Sequence, residues 1–182
     1  MEYFQALGAA KEAATDTAQQ PTQLSGPPPS AATVNDIVEW LGKTSDTLFY
    51  YSESDEPVRT FHMARDVLAT PQTEQLPLPP AEAFAQLVDV TPAPLSSYDD
   101  DTSLAAKGGY QDFFRELSDQ HKTLGQEARQ RIKLLEEFFR AEVERDTPAA
   151  YYRIRNGAEV GIWIVLARGS SLVGLQTKAI ET

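Results

Sequence analysis

Apolar positions recur at helical spacing at Val34, Ile37, Val38 and Leu41, and one turn further at Ser45 and Leu48. Thr33 precedes this run with Asp36 three residues on, the form of a helix N-terminus. Together they predict an amphipathic helix from about Val34 to Thr47. The period then changes. Leu48 to Tyr51 (LFYY) is rich in strand formers, Ser52 to Pro57 (SESDEP) is turn-like, and Val58 to Met63 (VRTFHM) alternates, which reads as two strands joined by an acidic loop. A proline-spotted connector runs from Ala69 to Pro80. A short helix is expected after Pro80, with Phe84, Leu87 and Val88 as its buried face, followed by irregular chain to Asp101.

From Ser103 the pattern predicts helix for about forty residues. Tyr110, Phe113, Phe114, Leu117, His121 and Leu124 form one stripe, continued by Ala128, Ile132, Leu135, Phe138, Phe139 and Val143. Gly125 is expected to divide this stretch into two helices, although one glycine costs a helix only about 1 kcal/mol. The last part is strand-like at Tyr151 to Ile154, Val160 to Leu166 and Leu172 to Ile180. Its runs are separated by Asn156-Gly157 and by Arg168 to Ser171, both hairpin signals. Helical and strand runs are segregated more than alternated, so an α+β domain with a mainly antiparallel sheet is expected.

Before Thr33 the chain mixes Ala, Gln, Thr, Ser and Pro and ends in GPPPS at Gly26 to Ser30. Such a segment has few large apolar groups to offset the entropy of ordering. The expected organisation is therefore a disordered arm over residues 1–32 and one domain over residues 33–182. With no cysteine, disulfides, thiolate metal sites and thiol nucleophiles are excluded. The first residues lack the basic-then-apolar order of a secretory signal, and no apolar run approaches the roughly 20 residues that span a bilayer. A soluble cytoplasmic protein with no membrane association is expected.

The formal charge is −11, and it is unevenly placed. Residues 1–102 hold 4 Lys/Arg against 16 Asp/Glu, while residues 103–182 hold 12 against 11. The surplus gathers at Glu53, Asp55 and Glu56 and again at Asp99, Asp100 and Asp101. A field of this sign repels nucleic acid and steers basic partners, so no direct nucleic-acid binding is expected. The other distinctive feature is the ending, GLQTKAIET from Gly174 to Thr182, where a strand-like run reaches the last residue with no polar tail. Chain ends usually fray; a carboxylate carried by an ordered strand is instead a positioned anion.

Two separated segments point to one family. The run TSDTLFYYSESDEPVRTF (Thr44 to Phe61) and the closing GLQTKAIET resemble the nuclease A inhibitor family, in which a leading helix runs into an SES-acid-x-Pro segment and the chain ends Gly-apolar-Ser/Thr-Thr-Lys-x-x-Glu-Thr. Pro148 to Leu166 (PAAYYRIRNGAEVGIWIVL) is similar to the family's penultimate hairpin. The N-terminal arm is extra and the helical part after Ser103 is longer. Where the family has a tryptophan beside its contact surface, the nearest positions here are Ser97 and Tyr98.

The resemblance implies a three-layer α-β-α sandwich similar to the plant pathogenesis-related proteins. It also implies inhibition of a sugar-non-specific endonuclease of the ββα-metal type, with no cofactor of the inhibitor's own. The family's acidic SES residue and C-terminal threonine, which act at the nuclease's catalytic centre, fall on Glu53 and Thr182. Thr182 then bears on the metal of the partner nuclease, in trans. The neighbouring Ser52, Ser54, Asp55, Glu181, Tyr98 and Asp99 complete the expected partner-binding set. Ser52 and Ser54 are expected to shape the turn through side-chain to backbone bonds.

A loop carboxylate such as Glu53 is ordinarily just solvated, and only the SES pattern together with the distant terminus singles it out. Trp40 and Trp163 read as core residues, and His62 and His121, without ligand-spaced neighbours, as structural ones. An enzyme reading finds no P-loop, nucleophile elbow, HExxH or dinucleotide fingerprint. It is left with Glu53 paired with Asp55 or Glu56 as an acid and base. An enzyme should hold Glu53 in a cleft, whereas an inhibitor should project it. A module of the same fold acting on another hydrolase is the alternative binder.

Overall fold

The computed structural model describes residues 26, 28, 32–64, 77–93, 104–122 and 125–181. The first helix, α1 (Val34–Ser45), opens with a complete capping box. The Asp36 amide donates to Thr33 Oγ1 (3.2 Å) and the Thr33 amide donates to Asp36 Oδ2 (2.8 Å). It closes two residues earlier than the periodicity predicts because Thr47 takes a left-handed φ of 70°, a turn that swings Leu48 into the core. Arg131, buried in a later helix, donates to the carbonyls of Lys43 (2.8 Å) and Thr44 (3.3 Å) and so supplies partners to the end of α1.

Two short strands follow, β1 (Phe49–Tyr51) and β2 (Asp55–Pro57), paired with Phe49 opposite Pro57 and Tyr51 opposite Asp55. This corrects the expected arrangement, in which Val58 to Met63 was the second strand of that pair. The acidic segment itself forms the return strand. An edge tripeptide that leaves Asp55 in water tolerates charge and a terminal proline. Residues Arg59–Ala64 form β3, which pairs along the last strand of the main sheet instead.

Next come α2 (Ala81–Leu87), β4 (Ala105–Gly108), α3 (Tyr110–Gln120), α4 (Gln126–Val143), β5 (Ala149–Asn156), β6 (Glu159–Arg168) and β7 (Ser171–Ile180). Gly125 is the N-cap of α4, so the long helical stretch is two helices as expected. Two expectations fail here. Leu87 is 42% exposed, so the buried face of α2 is Ala81, Phe84 and Ala85. Helix does not begin at Ser103, because β4 precedes α3. Ala105 and Ala106 favour helix in isolation, but the ladder to Ile154 and Arg153 of β5 overrides that preference.

The sheet order is β3-β7-β6-β5-β4, antiparallel throughout. Alternation along β6 sends Val160, Ile162, Ile164 and Leu166 into one core with α1, α3 and α4, and Trp163, Val165 and Ala167 into a second core with Phe84 of α2. The fold is α+β, with helices against both faces of the sheet. Phe84 stacks on Tyr152 at 4.0 Å, and Trp40 meets Phe138 at 5.0 Å. Both tryptophans are core residues, as expected. Gly161 has a packing reason, since a Cβ there would lie 2.2 Å from the Trp163 ring. Among the described residues no helix is long and apolar enough to cross a membrane.

Candidate functional site

The turn between β1 and β2, Ser52 to Ser54, is built from its own hydroxyls. Ser52 Oγ donates to the Ser54 carbonyl (2.9 Å) and accepts from the Ser54 amide (3.3 Å). The same oxygen accepts from the Ile180 amide at 3.0 Å, and the Glu53 amide donates to the Ile180 carbonyl at 3.4 Å. Thr177 Oγ1 adds a bond to the Glu56 carbonyl at 3.4 Å. The hairpin is therefore sewn to the end of β7, and two segments about 130 residues apart in sequence become one surface. Glu53 and Asp55 are exposed on it, and Ser52 and Ser54 are half-buried. Phe49, 38% exposed on the same hairpin, is an aromatic surface residue that the sequence patterns did not single out.

Glu181 sits differently from the other expected contact residues. Its amide donates to the Ala158 carbonyl (2.9 Å), and its two carboxylate oxygens pair separately with Arg153 and Arg155 of β5. Arg153 reaches back to Glu116 of α3 (3.4 Å) and to the Tyr151 hydroxyl (3.2 Å). Glu116 Oε2 also accepts from the hydroxyls of Tyr50 and Tyr151, each at 2.8 Å. Gln120, one turn on, accepts the Tyr51 amide at 3.0 Å. None of Glu116, Arg153, Arg155 or the two tyrosines was legible as part of the site. The available signal was YYRIRN, where Tyr151, Arg153 and Arg155 share one face of an otherwise apolar strand; charges on such a face need partners.

Burial, and then the Glu116 carboxylate, push the Tyr50 phenol up to about 12. Burial likewise raises Tyr151. Both hydroxyls thus remain donors through the neutral range. An unfolded tyrosine ionises near 10. Above that pH the native state holds protons that the unfolded state has released, so the contribution of Tyr50 is complete below about pH 10 and lost as pH rises through about 12. Denaturation midpoints should fall steeply across that window, and Tyr50→Phe combined with Tyr151→Phe should flatten the fall. A parallel decline in both proteins would remove these phenols as its cause.

His121, almost wholly buried, bonds through Nε2 to the Phe49 carbonyl (2.7 Å) and packs its ring 5.1 Å from Tyr51, so it supports β1 from below. His62 is exposed on β3. Among the described residues no group of three His, Asp or Glu side chains is placed to hold a metal ion. Thr182, Tyr98 and Asp99, all expected contact residues, lie outside the described residues.

A family model described as nuclease A inhibitor-like protein matches residues 35–182, from the first turn of α1 through the SES turn to the last residue. The chain belongs to that family. The match leaves the first 34 residues outside and takes in every element of the fold apart from Val34, the first residue of α1. Membership in the nuclease A inhibitor-like family implies nuclease inhibition, with a nuclease as protein partner. No curated protein matches the chain.

Proposed function

We propose that this protein is a stoichiometric plug for a sugar-non-specific, Mg²⁺-dependent endonuclease of the ββα-metal type, presenting Glu53 and Thr182 to the catalytic centre. The observation that carries this reading is the pair of bonds between the Ser52–Glu53 turn and Ile180, which puts an exposed carboxylate beside the strand that leads to Thr182. A nuclease of that type holds Mg²⁺ and arginines around the scissile phosphate, so its plug must offer oxygen anions. Mg²⁺ takes oxygen ligands and usually keeps several waters, positions that an incoming oxygen can occupy. Glu53 suits a bidentate arginine contact, the stronger form of charge-assisted bond. Asp55, Glu56 and Asp99 to Asp101 would act mainly on encounter rate.

Against the enzyme reading, Glu53 stands on an exposed turn. A cavity of about 500 Å³ on the α2 side of the sheet is lined by Glu56, Arg59, Glu159, Trp163, Gln176 and Lys178 among others; Glu56 reaches it but Glu53 does not, so the two carboxylates of the acid and base pair do not share this cleft. Glu53→Ala and Glu53→Gln should weaken inhibition by about 2–5 kcal/mol, the usual cost of breaking a desolvated charge pair at an interface. The unfolding midpoint should stay within about 0.5 kcal/mol of the parent, as for other surface substitutions. Inhibition assays against a ββα-metal endonuclease, with thermal unfolding alongside, test both halves. Unchanged inhibition in both variants removes Glu53 from the site, and a large stability loss assigns it to the turn. Failure to inhibit any such nuclease would favour a module of the same fold acting on another hydrolase.

A further inference from the structure

We infer that Glu116 of α3 is a positioning residue for the inhibitory surface, fixing the SES turn and the chain's last residues at one spacing. The inference rests on the plug reading above. The geometry behind it is a single carboxylate with two lines of attachment. One passes through the Tyr50 hydroxyl (2.8 Å) to β1, the strand that enters the SES turn two residues later. The other passes through Arg153 (3.4 Å) to Glu181, the residue that follows β7. Arg155 holds the second oxygen of Glu181, and the Glu181 amide is held by Ala158. Two carboxylates and two guanidinium groups thus balance one another within the network.

This arrangement changes the role of Glu181. A carboxylate already committed to two arginines of its own chain has little left to offer a partner's cation. Its work is internal: it anchors the backbone from which Thr182 continues. Gln120, one turn along α3, holds the Tyr51 amide (3.0 Å), so the same helix grips β1 twice. A docking surface gains affinity when its contact groups are held in the bound arrangement beforehand, since less freedom is lost on association. The bonds that join the turn to Ile180 align the two segments locally, and the Glu116 network sets both relative to the sheet.

The test uses the full chain and a purified Mg²⁺-dependent, sugar-non-specific endonuclease that the intact protein inhibits. Glu116→Gln keeps the side chain's shape and removes its charge, and Tyr50→Phe keeps the ring and removes the hydroxyl that ties Glu116 to β1. Each should raise the inhibition constant about 3- to 10-fold, the scale of one or two side chains losing their pre-set arrangement. In a Glu53→Ala background the same substitutions should have less than about a 2-fold effect, because the group being positioned is gone. Amide hydrogen exchange of the free variants gives a readout that needs no nuclease. Exchange at Glu53, Ile180 and Glu181 should quicken while the central amides of β6 stay as protected as in the parent.

Equal effects with and without Glu53, or quickened exchange throughout β6, would overturn the inference and leave Glu116 a general stabiliser. If Glu53→Ala itself leaves inhibition intact, the plug reading fails, and the exchange pattern still decides whether Glu116 orders these segments.

Discussion

Removing Thr182 is expected to weaken inhibition by about 2–5 kcal/mol, a rise in inhibition constant of roughly 30-fold to several thousandfold. Neutralising Asp99, Asp100 and Asp101 together should cost far less. The difference follows from the two kinds of interaction. A residue directed at a metal-centred site makes short contacts whose loss appears in the dissociation rate and survives added salt. Surface acids act through a field that salt screens within about 10 Å at 0.1 M, so their loss appears in the association rate and fades as salt rises. Residues appended after Thr182 should act like its removal, because they add bulk where the plug would enter the nuclease. Rate constants at two salt concentrations, for the shortened protein and for the triple Asp→Asn variant, make the comparison. Equal effects would favour general electrostatic mimicry of nucleic acid, and full inhibition by the extended protein would exclude the plug.

Glu142→Ala is expected to cost about 3–5 kcal/mol of folding stability, the range for removing one partner of a buried ion pair. Glu142 is 2% exposed near the end of α4. Its oxygens accept from Arg145 (2.8 Å), from Arg168 at the end of β6, and from Thr147 Oγ1 (3.4 Å). Arg168 also donates to the Ala32 carbonyl (3.3 Å) ahead of α1. Removing the carboxylate leaves the half-buried Arg168 without its closest compensation and unties α4 from the sheet. At about 2–4 °C per kcal/mol for a domain of this size, the melting temperature should drop by about 6–20 °C. Glu39→Ala is the control, since its pair with Lys43 (2.5 Å) is two-thirds exposed on both sides and such pairs contribute about 0–1 kcal/mol. Similar midpoints for the two variants would show that the Glu142 network does not hold α4 to β6.

Thr182 is the residue on which sequence and structure divide most clearly. The role proposed for it rests on the resemblance of the GLQTKAIET pattern, and the structure describes only the neighbouring Ile180 and Glu181, which bind the end of β7 to the SES turn and to β5. Glu53 was singled out by the SES segment together with the distant terminus, whereas the turn that carries it has a local reason. Serines one residue to either side of a turn carboxylate supply hydroxyls within reach of the turn's own backbone, and those bonds form. Glu116 was not readable. In α3 it is one of several acidic residues of an amphipathic helix, and its partners lie 66, 35 and 37 residues away.

Period and turn chemistry are properties of neighbours in sequence. They were enough to determine α1 with its capping box, the division at Gly125, the long hairpins of β5, β6 and β7 and the α+β class, while the family came from the resemblance of the SES segment and the closing GLQTKAIET. Which strand pairs with which is decided by burial across the whole domain. Only the tertiary structure placed Asp55 to Pro57 against β1, turned Ala105 to Gly108 into an edge strand in spite of its helical residues, and left Leu87 in solvent. The same holds for the polar network beneath the candidate surface. A buried charge announces in sequence that it needs a partner, but the partner is chosen by the packing of α3 against β1 and β5, which no local pattern encodes.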